Sequence, residues 1–209
     1  MLQFIDIKAM CDKNRNILET LVQETIQKIY NTYMEYRNKI DVYYVAFSGG
    51  KDSITVLDIV QRALPHNAFK VVFGDTGMEF YDTYNEIDFI EDYCRENGID
   101  FLRTKSDLSV EQTWKTFGPP AVTNRWCCSV HKTSPQIRLL QNITGKSHFT
   151  GMAFTGVRGS ESLTRSEYDD ITIGGKHQGQ FSFHPLLDWN SAELFLYIYA
   201  NKLHLNEAY

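Results

Sequence analysis

Apolar side chains follow two different spacings along this chain, and the change between them falls near residue 41. From about residue 12 to residue 38, apolar residues such as Leu18 and Met34 recur every three or four positions, with glutamate and glutamine between them. That spacing predicts one long amphipathic helix that packs against the rest of the chain. We therefore expect a helical extension over residues 1–40 and one domain over residues 41–209, and a partner-binding role for the helix is the alternative.

Short β-rich runs alternate with amphipathic helical patterns beyond Asp41. Residues 42–47 form an unbroken apolar run, which is typical of a strand buried on both faces of a parallel sheet. Four more strands are predicted at 69–73, 99–103, 149–157 and 180–183, and helices at 54–64, at about 80–97, from Ser134, and from Asn190 to about Asn201. This order predicts an α/β fold with a doubly wound, mainly parallel five-stranded sheet and helices on both faces.

The composition allows one well-packed domain and narrows the classes of partner. Hydrophobic residues make up 43% of the 209 positions, and 21 basic against 26 acidic residues leave a net charge of −5. An acidic chain gives no support to a nucleic-acid partner through overall charge. No apolar run approaches the roughly 20 residues needed to cross a bilayer, and the N-terminus lacks the basic start of a secretory signal. Four cysteines, at 11, 94, 127 and 128, form no disulfide framework, so we expect a cytoplasmic protein without membrane contact.

A glycine-rich hexapeptide directly follows the first predicted strand, at the sheet edge where open parallel sheets bind ligands. Its two glycines let backbone N–H groups approach an anion, and the helix that follows adds the positive end of its dipole. Lys51 adds a full charge, and Asp52 is explained if a Mg²⁺ ion bridges it to phosphate. The spacing differs from that of a Walker loop, and a plain glycine turn is the alternative. The predicted phosphate-binding residues are Ser48, Gly49, Gly50, Lys51, Asp52 and Ser53.

Two polar residues, Asp75 and Thr76, end the second predicted strand. In a parallel sheet this strand end lies beside the loop that follows the first strand, so both side chains are candidates for contact with a nucleotide or its metal ion. A β-turn formed with Gly77 is the alternative.

Two arginines, Arg158 and Arg165, lie in a stretch rich in glycine and serine over residues 157–179, which resembles a mobile flap. Planar guanidinium groups bind oxyanions with paired donors, and this suits a polyphosphate or a sulfate. Surface ion pairs with Glu161 and Glu167 are the alternative.

Taken together, these motifs resemble those of a known family. The hexapeptide at 48–53 resembles the PP-loop of the adenine-nucleotide α-hydrolases, and further segments narrow the resemblance to the phosphoadenosine phosphosulfate (PAPS) reductase family. These segments are 74–77 with Phe80 and Thr83, 127–135, 156–158 with Glu161, Ser162 and Arg165, and 184–189. The resemblance spans about residues 41–202 and implies a site for ATP or an adenylyl sulfate, with the adenosine over the strand ends. It also implies that Lys132 contacts the nucleotide.

The adjacent cysteines Cys127 and Cys128 are flanked by three cationic residues, Arg125, His131 and Lys132. Cationic surroundings favour thiolates. By resemblance, such a pair provides two ligands of a [4Fe–4S] cluster, whose other two ligands come from a C-x-x-C beyond the last helix. The chain reaches Tyr209 without that motif, so three interpretations stay open. The sequence is a fragment of a protein and lacks half of the cluster ligands, or it is a natural chain without a cluster, or the cysteine pair serves as a zinc or redox site. Two cysteines and a histidine would leave a structural zinc ion short of its four ligands.

The loop and the cysteines also bear on the reaction. By resemblance, sulfonucleotide reductases carry a degraded loop, a catalytic cysteine in a C-terminal tail and an arginine where this chain has His131, so the intact loop favours ATP. The implied activity is that of a transferase of the ATP-pyrophosphatase type, which adenylates an unidentified acceptor in sulfur chemistry with Lys51, Asp52 and Arg158 as catalytic residues. The alternatives are an oxidoreductase that reduces PAPS or adenosine phosphosulfate with electrons from thioredoxin, and a nucleotide-binding module that works only with a partner protein.

Overall fold

The structure is a computed structural model, and it describes residues 6–175 and 177–209. The α-helices of this part of the chain are α1 (Ile7–Tyr36), α2 (Lys51–Ala63), α3 (Tyr81–Glu96), α4 (Val110–Phe117), α5 (Trp126–Cys128), α6 (Ser134–Thr144), α7 (Leu163–Ser166) and α8 (Ser191–Ala200). Its strands are β1 (Val42–Phe47), β2 (Lys70–Asp75), β3 (Asp100–Lys105), β4 (Gly151–Phe154), β5 (Ile171–Ile173) and β6 (Gln180–Phe183). A π-helical stretch, Ser129–Thr133, joins α5 to α6.

The six strands form one sheet in the order β3-β2-β1-β4-β6-β5. Neighbouring strands run parallel except for β5, which pairs antiparallel with β6. The chain therefore winds outward from β1 through β2 and β3, and then returns to the other side of β1 with β4. The predicted doubly wound, mainly parallel α/β sheet is confirmed, and all five predicted strands are present.

The edge strand β5 corrects the prediction of five strands. The sequence predicts a flap over residues 157–179, whereas Ile171–Ile173 pair with β6, with Ile171 opposite Phe183. Three residues are too few to show the alternation that reveals a strand in a sequence, and pairing with an existing strand supplies the hydrogen bonds that order them. Helix α4 is a second element that the sequence analysis does not predict, and the capping box between Ser109 and Gln112 marks its start.

The central strand β1 is buried on both faces, which explains its unbroken apolar sequence. Tyr43, Val45 and Phe47 belong to the core shared with helices α1, α2, α3 and α8. Val42 and Tyr44 pack with Leu140 of α6 on the opposite face. Successive side chains of a strand point to opposite faces, so each helical layer receives every second residue. Helices on both faces of the sheet are therefore confirmed.

Helix α1 packs against α2 and α8, as the sequence predicts. Its buried residues are Leu18, Val22, Thr25 and Ile29. The helix begins before residue 12 because Asp6 caps it by accepting a hydrogen bond from the Ala9 amide. Across residues 6–175 and 177–209, no helix combines the length with the apolarity that a membrane crossing requires.

Candidate functional site

Two loops meet at the carboxyl-terminal edge of the sheet, between β1 and β4. Because the chain leaves β1 towards β2 on one side while β4 lies on the other, this edge is the switch point at which open α/β sheets form a ligand crevice. Residues 48–53 follow β1, and residues 156–158 follow β4. A Cβ on Gly156 would stand 2.7 Å from the Asp52 Cβ and 2.9 Å from the Asp52 carbonyl carbon. Glycine is therefore required where the two loops touch.

The 48–53 loop is organised around the hydroxyl of Ser53. Ser53 Oγ accepts hydrogen bonds from the amides of Ser48 and Gly50, at 3.3 and 3.2 Å, and donates to the Gly50 carbonyl at 2.8 Å. Gly49 has a φ of +74°, a left-handed conformation that other residues rarely adopt. Two of the amides expected to face a phosphate, together with the Ser53 hydroxyl, are therefore used inside the loop.

The first turn of α2 keeps its amides open. Lys51, Asp52 and Ser53 are its first three residues, and no acceptor in the described part of the chain pairs with their N–H groups. Unpaired N–H groups at the positive end of a helix are a ready site for an anion. Three of the predicted phosphate-binding amides thus have no hydrogen-bond partner among the described residues, and they belong to the first turn of the helix, in which Ser53 is buried.

Three charged residues of the crevice form one chain of ion pairs. One carboxylate oxygen of Asp52 accepts from Lys51 Nζ at 2.9 Å, and the other accepts from Arg158 Nε at 2.7 Å. Arg158 is only 3% exposed, and its Nη1 donates to Ser191 Oγ at 3.0 Å. The structure therefore brings the predicted catalytic residues together, with Asp52 as the link between the two cations.

Arg165 has a different environment from Arg158. Its side chain is 43% exposed and pairs with Glu161, which also lies 3.8 Å from the Arg158 guanidinium. The surface ion pair foreseen as the alternative for Arg165 is thus present in the structure. The stretch at 157–179 therefore holds one buried arginine, which contacts the 48–53 loop, and one exposed arginine on α7.

Asp75 and Thr76 form a turn at the end of β2. Asp75 Oδ1 accepts from the Tyr84 hydroxyl at 2.7 Å and from the Gly77 amide at 2.8 Å, and Lys105 Nζ lies 3.0 Å from the other oxygen. Burial raises the pKa of Asp75, but these three partners outweigh burial and hold the pKa below its ordinary value. Thr76 also forms hydrogen bonds within the turn. The turn foreseen as the alternative is present, and it engages both side chains.

Lys132 lies across the end of β2. Its Cγ stands 3.0 Å from the position that a Cβ on Gly74 would take, so the glycine makes room for it. The Lys132 side chain is half-buried and takes part in none of the ion pairs among the described residues, unlike Lys51 and Arg158. It therefore provides a positive charge at the sheet edge that no neighbouring carboxylate of that part of the chain neutralises.

Cys127 and Cys128 lie in the short helix α5, where their surroundings differ from the sequence prediction. His131 is buried, with its Nε2 2.9 Å from Thr113 Oγ1. Burial, followed by the neighbouring Cys128, raises the pKa of Cys127 even though Arg125 acts in the opposite direction. The expectation of a stabilised thiolate is therefore wrong for Cys127.

A metal or cluster at the cysteine pair would need further ligands. Within residues 6–175 and 177–209, no three side chains of histidine, cysteine, aspartate or glutamate converge as metal ligands. Cys11 lies on α1 and Cys94 is buried on α3. Cys127 and Cys128 would supply two of the four ligands of a [4Fe–4S] cluster. The residues described here therefore do not form a complete cluster site.

Alkylation with iodoacetamide should test the raised pKa of Cys127. Because the thiolate is the reactive form, Cys127 should react more slowly than free glutathione at about pH 7.5, and its rate should still be rising above about pH 9. Mass spectrometry with peptide fragmentation separates Cys127 from Cys128. Faster labelling of Cys127 than of glutathione at neutral pH would contradict the effect of burial.

Two residues of the C-terminal segment reach the 48–53 loop without any signal in the sequence pattern. Asn206 Nδ2 donates to the Gly49 carbonyl at 3.1 Å. The Lys51 ammonium lies 5.2 Å from the centre of the Tyr209 ring. Both contacts require the chain to fold back over the sheet edge after α8, so no local spacing of residues could have indicated them.

Comparisons with known proteins show the family and the fold of the chain. Residues 42–209 match the family model of the phosphoadenosine phosphosulfate reductase domain. An uncharacterised protein of Methanocaldococcus jannaschii is 30% identical over 208 residues, which cover 100% of this chain and 48% of that protein. The adenosine 5'-phosphosulfate reductase of a Geobacillus species is 26% identical over 170 residues, which cover 80% of this chain and 67% of that enzyme. The chain spans less than half the length of two M. jannaschii proteins that it matches, 39% of one and 48% of the other.

Solved structures share the fold at low sequence identity. A PAPS reductase from Candida auris, in a phosphate complex, has a TM-score of 0.62 and 19% identity, covering 99% of this chain and 92% of that one. An FMN adenylyltransferase from Candida glabrata, in complex with FAD and inorganic pyrophosphate, has a TM-score of 0.60 and 16% identity. The match covers 91% of this chain and 61% of that one. The match over residues 42–209 confirms the resemblance drawn from the motifs, and the chain belongs to the phosphoadenosine phosphosulfate reductase domain family.

Proposed function

We propose that the chain binds ATP in the crevice between β1 and β4 and transfers its adenylyl group to an acceptor. The observation that supports this most directly is the first turn of α2, which combines unpaired amides with a lysine, Lys51. The family relationship supports an adenine nucleotide as the ligand. The fold is also that of the C. glabrata FMN adenylyltransferase, whose structure holds inorganic pyrophosphate and FAD.

In the proposed reaction, a nucleophilic atom of the acceptor attacks the α-phosphorus of ATP. The bond from the α-phosphorus to the oxygen that bridges to the β-phosphate breaks, and pyrophosphate leaves with that electron pair. Negative charge grows on the leaving pyrophosphate, so donors already positioned around it stabilise the transition state. The amides of α2 and the Lys51 ammonium would contact these phosphates, and Lys132 would approach the nucleotide from the β2 side.

Arg158 acts in this proposal through Asp52. Its Nε and Nη1 are engaged by Asp52 and Ser191, and the side chain is buried. We therefore assign Arg158 as a positioning residue that holds Asp52, which in turn holds Lys51. Arg165 would reach a substrate only by giving up its ion pair with Glu161.

Magnesium, when bound, would neutralise phosphate charge, and it generally uses one or two carboxylates together with the phosphates themselves. Asp52 is the predicted ligand, but its two oxygens accept hydrogen bonds from Lys51 and Arg158. In this arrangement Mg²⁺ would have to displace Lys51 or Arg158 from Asp52, or share a carboxylate oxygen with one of them. The proposed chemistry therefore depends on the chain's own cations and amides, and the contact between Asp52 and Mg²⁺ stays a prediction.

Isothermal titration of ATP should locate the phosphates. A hydrogen bond to a charged group contributes about 1.5–3 kcal/mol, so Lys51→Ala should weaken ATP binding by about 10- to 100-fold. Asp52→Ala should also weaken binding, because it releases both Lys51 and Arg158. Lys115→Ala is the control, since Lys115 belongs to α4, outside residues 48–53 and 156–158, and forms an exposed ion pair with Glu111. Unchanged ATP affinity in both Lys51→Ala and Asp52→Ala would show that the nucleotide does not bind at this site.

Reduction of a sulfonucleotide is the second candidate, and the relationship to the Geobacillus adenosine 5'-phosphosulfate reductase favours it. In that reaction two thiols are oxidised to a disulfide, the bond from sulfur to the bridging phosphate oxygen breaks, and sulfite and AMP are released. Pyrophosphate released from ATP would support adenylyl transfer, whereas sulfite released with a thiol reductant would support reduction. ATP binding without either product, with turnover restored by a second protein, would indicate a partner-dependent module.

A further inference from the structure

The peptide group between Gly49 and Gly50 is held from both sides. Its carbonyl accepts from Asn206 Nδ2 at 3.1 Å, and its N–H donates to Ser53 Oγ at 3.2 Å. In a planar trans peptide these two groups point in opposite directions, so Asn206 and Ser53 together prevent the peptide from turning over. Two consecutive glycines would otherwise leave this part of the loop with many accessible conformations.

The orientation of the Asn206 amide is itself defined by its neighbours. Its Oδ1 accepts from the Ala208 amide at 2.9 Å, which leaves Nδ2 as the donor towards Gly49. The Asn206 side chain is buried, and the Tyr209 amide donates to the Asn206 carbonyl at 3.1 Å. A compact turn over residues 206–209 thus presents one side-chain donor to the loop.

Residues 203–209, here called the C-terminal strap, make two further contacts, one with α3 and one with the 48–53 loop. His204 Nδ1 lies 2.6 Å from Glu86 Oε2 on α3. At the other end, the Tyr209 hydroxyl lies 3.1 Å from the position that a Cβ on Gly50 would take, and its ring lies over Lys51. The strap is therefore anchored to α3 near its beginning and contacts the 48–53 loop at its end.

We propose that Asn206 is a positioning residue of the phosphate site. By holding the Gly49 carbonyl, it fixes the loop in the shape that presents the open amides of α2 and the Lys51 ammonium to one ligand. This inference rests on the proposed function, in which nucleotide phosphates bind at those groups. The strap accordingly belongs to the nucleotide site and not only to the packing of the domain.

Asn206→Ala removes the donor and leaves a buried carbonyl without its partner. Because one buried hydrogen bond typically changes a binding constant by up to about tenfold, affinity for inorganic pyrophosphate and for ATP should fall by about that factor. Hydrogen exchange of the Ser48 and Gly50 amides, which donate to Ser53 Oγ, should become faster without any ligand, because the peptide is no longer held from both sides.

Asn201→Ala is the matched control. Asn201 Nδ2 donates to the Tyr197 carbonyl at 2.9 Å, so the control removes the same kind of bond from the end of α8 and leaves the loop untouched. It should leave both pyrophosphate affinity and loop exchange as they are. Thermal unfolding curves establish that each variant is folded at the temperature of the titration.

Unchanged pyrophosphate affinity in Asn206→Ala, with ATP still bound by the unaltered chain, would overturn the role of Asn206 and leave the proposed function intact. An unaltered chain that binds neither ATP nor pyrophosphate would overturn the proposed function and the inference with it. If Asn206→Ala does not fold, Asn206→Asp keeps the acceptor for Ala208 and loses the donor to Gly49. Loop exchange in that variant at the unaltered rate would overturn the inference, and faster exchange would support it.

Discussion

Replacing Arg158 with alanine should lower the free energy of unfolding by about 3 kcal/mol and weaken ATP binding by up to about 100-fold, the upper end of the range expected for Lys51→Ala. Removing one partner of a buried ion pair leaves the other charge uncompensated, at a typical cost of about 3–5 kcal/mol. The remaining partner is Asp52, whose side chain is 20% exposed and keeps its contact with Lys51, so the lower end of that range applies. Chemical denaturation followed by tryptophan fluorescence measures the change in stability, and ATP titration measures the loss of binding.

Arg165→Ala is the matched control for Arg158→Ala. Arg165 forms an exposed pair with Glu161, and exposed pairs contribute about 0–1 kcal/mol, so this variant should stay close to the unaltered chain in stability. A double variant that carries Asp52→Ala and Arg158→Ala should lose less stability than the sum of the single variants, because the buried charge disappears with its partner. Additive losses would contradict the ion pair as the cause.

Gly156→Ala should separate the two loops of the crevice. The added Cβ would stand 2.7 Å from the Asp52 Cβ and 2.9 Å from the Asp52 carbonyl carbon. Neither atom can swing aside as the end of a flexible side chain would, so the first turn of α2 or the segment after β4 must move. Overpacking of this kind costs about 1–3 kcal/mol, and a displacement of about 1 Å at a site can reduce its function by about 100-fold. We expect ATP affinity to fall by about that factor, measured by titration.

Gly175→Ala is the control for adding a methyl group. No heavy atom in the described part of the chain lies within 4 Å of the position that its Cβ would take. Its stability should remain within about 0.5 kcal/mol of the unaltered chain, and its ATP affinity should not change. ATP bound by Gly156→Ala as tightly as by the unaltered chain would mean that the contact with Asp52 does not shape the nucleotide site.

Local patterns were sufficient for most elements of the fold. The apolar run of β1 and the capping box between Asn190 and Glu193 at the start of α8 are formed by residues close together in sequence, and both elements occur where they are predicted. Strand β5 escaped prediction because three residues carry too little pattern and become a strand only through pairing with β6. Helix α4 has its capping residues visible in the sequence, but it is only eight residues long and shows a short pattern.

The 48–53 loop was found from sequence because its position depends on order along the chain, directly after a buried strand and before a helix. Its internal hydrogen bonding was not predictable. Ser53 could have presented its hydroxyl to a ligand, but it accepts from the amides of Ser48 and Gly50 instead. That choice depends on a side-chain rotation and on neighbouring loops, neither of which leaves a trace in residue spacing.

The sequence by itself determined the α/β class, the location of the 48–53 loop and the family, because each depends on periodicity or on motifs a few residues long. The tertiary structure decided which side chains share the site. Arg158 contacts Asp52, which is 106 residues away in the sequence, and Asn206 contacts Gly49, which is 157 residues away. It also decided the raised pKa of Cys127, which burial causes. Contacts and burial of this kind arise only when distant segments pack together, so no stretch of sequence records them.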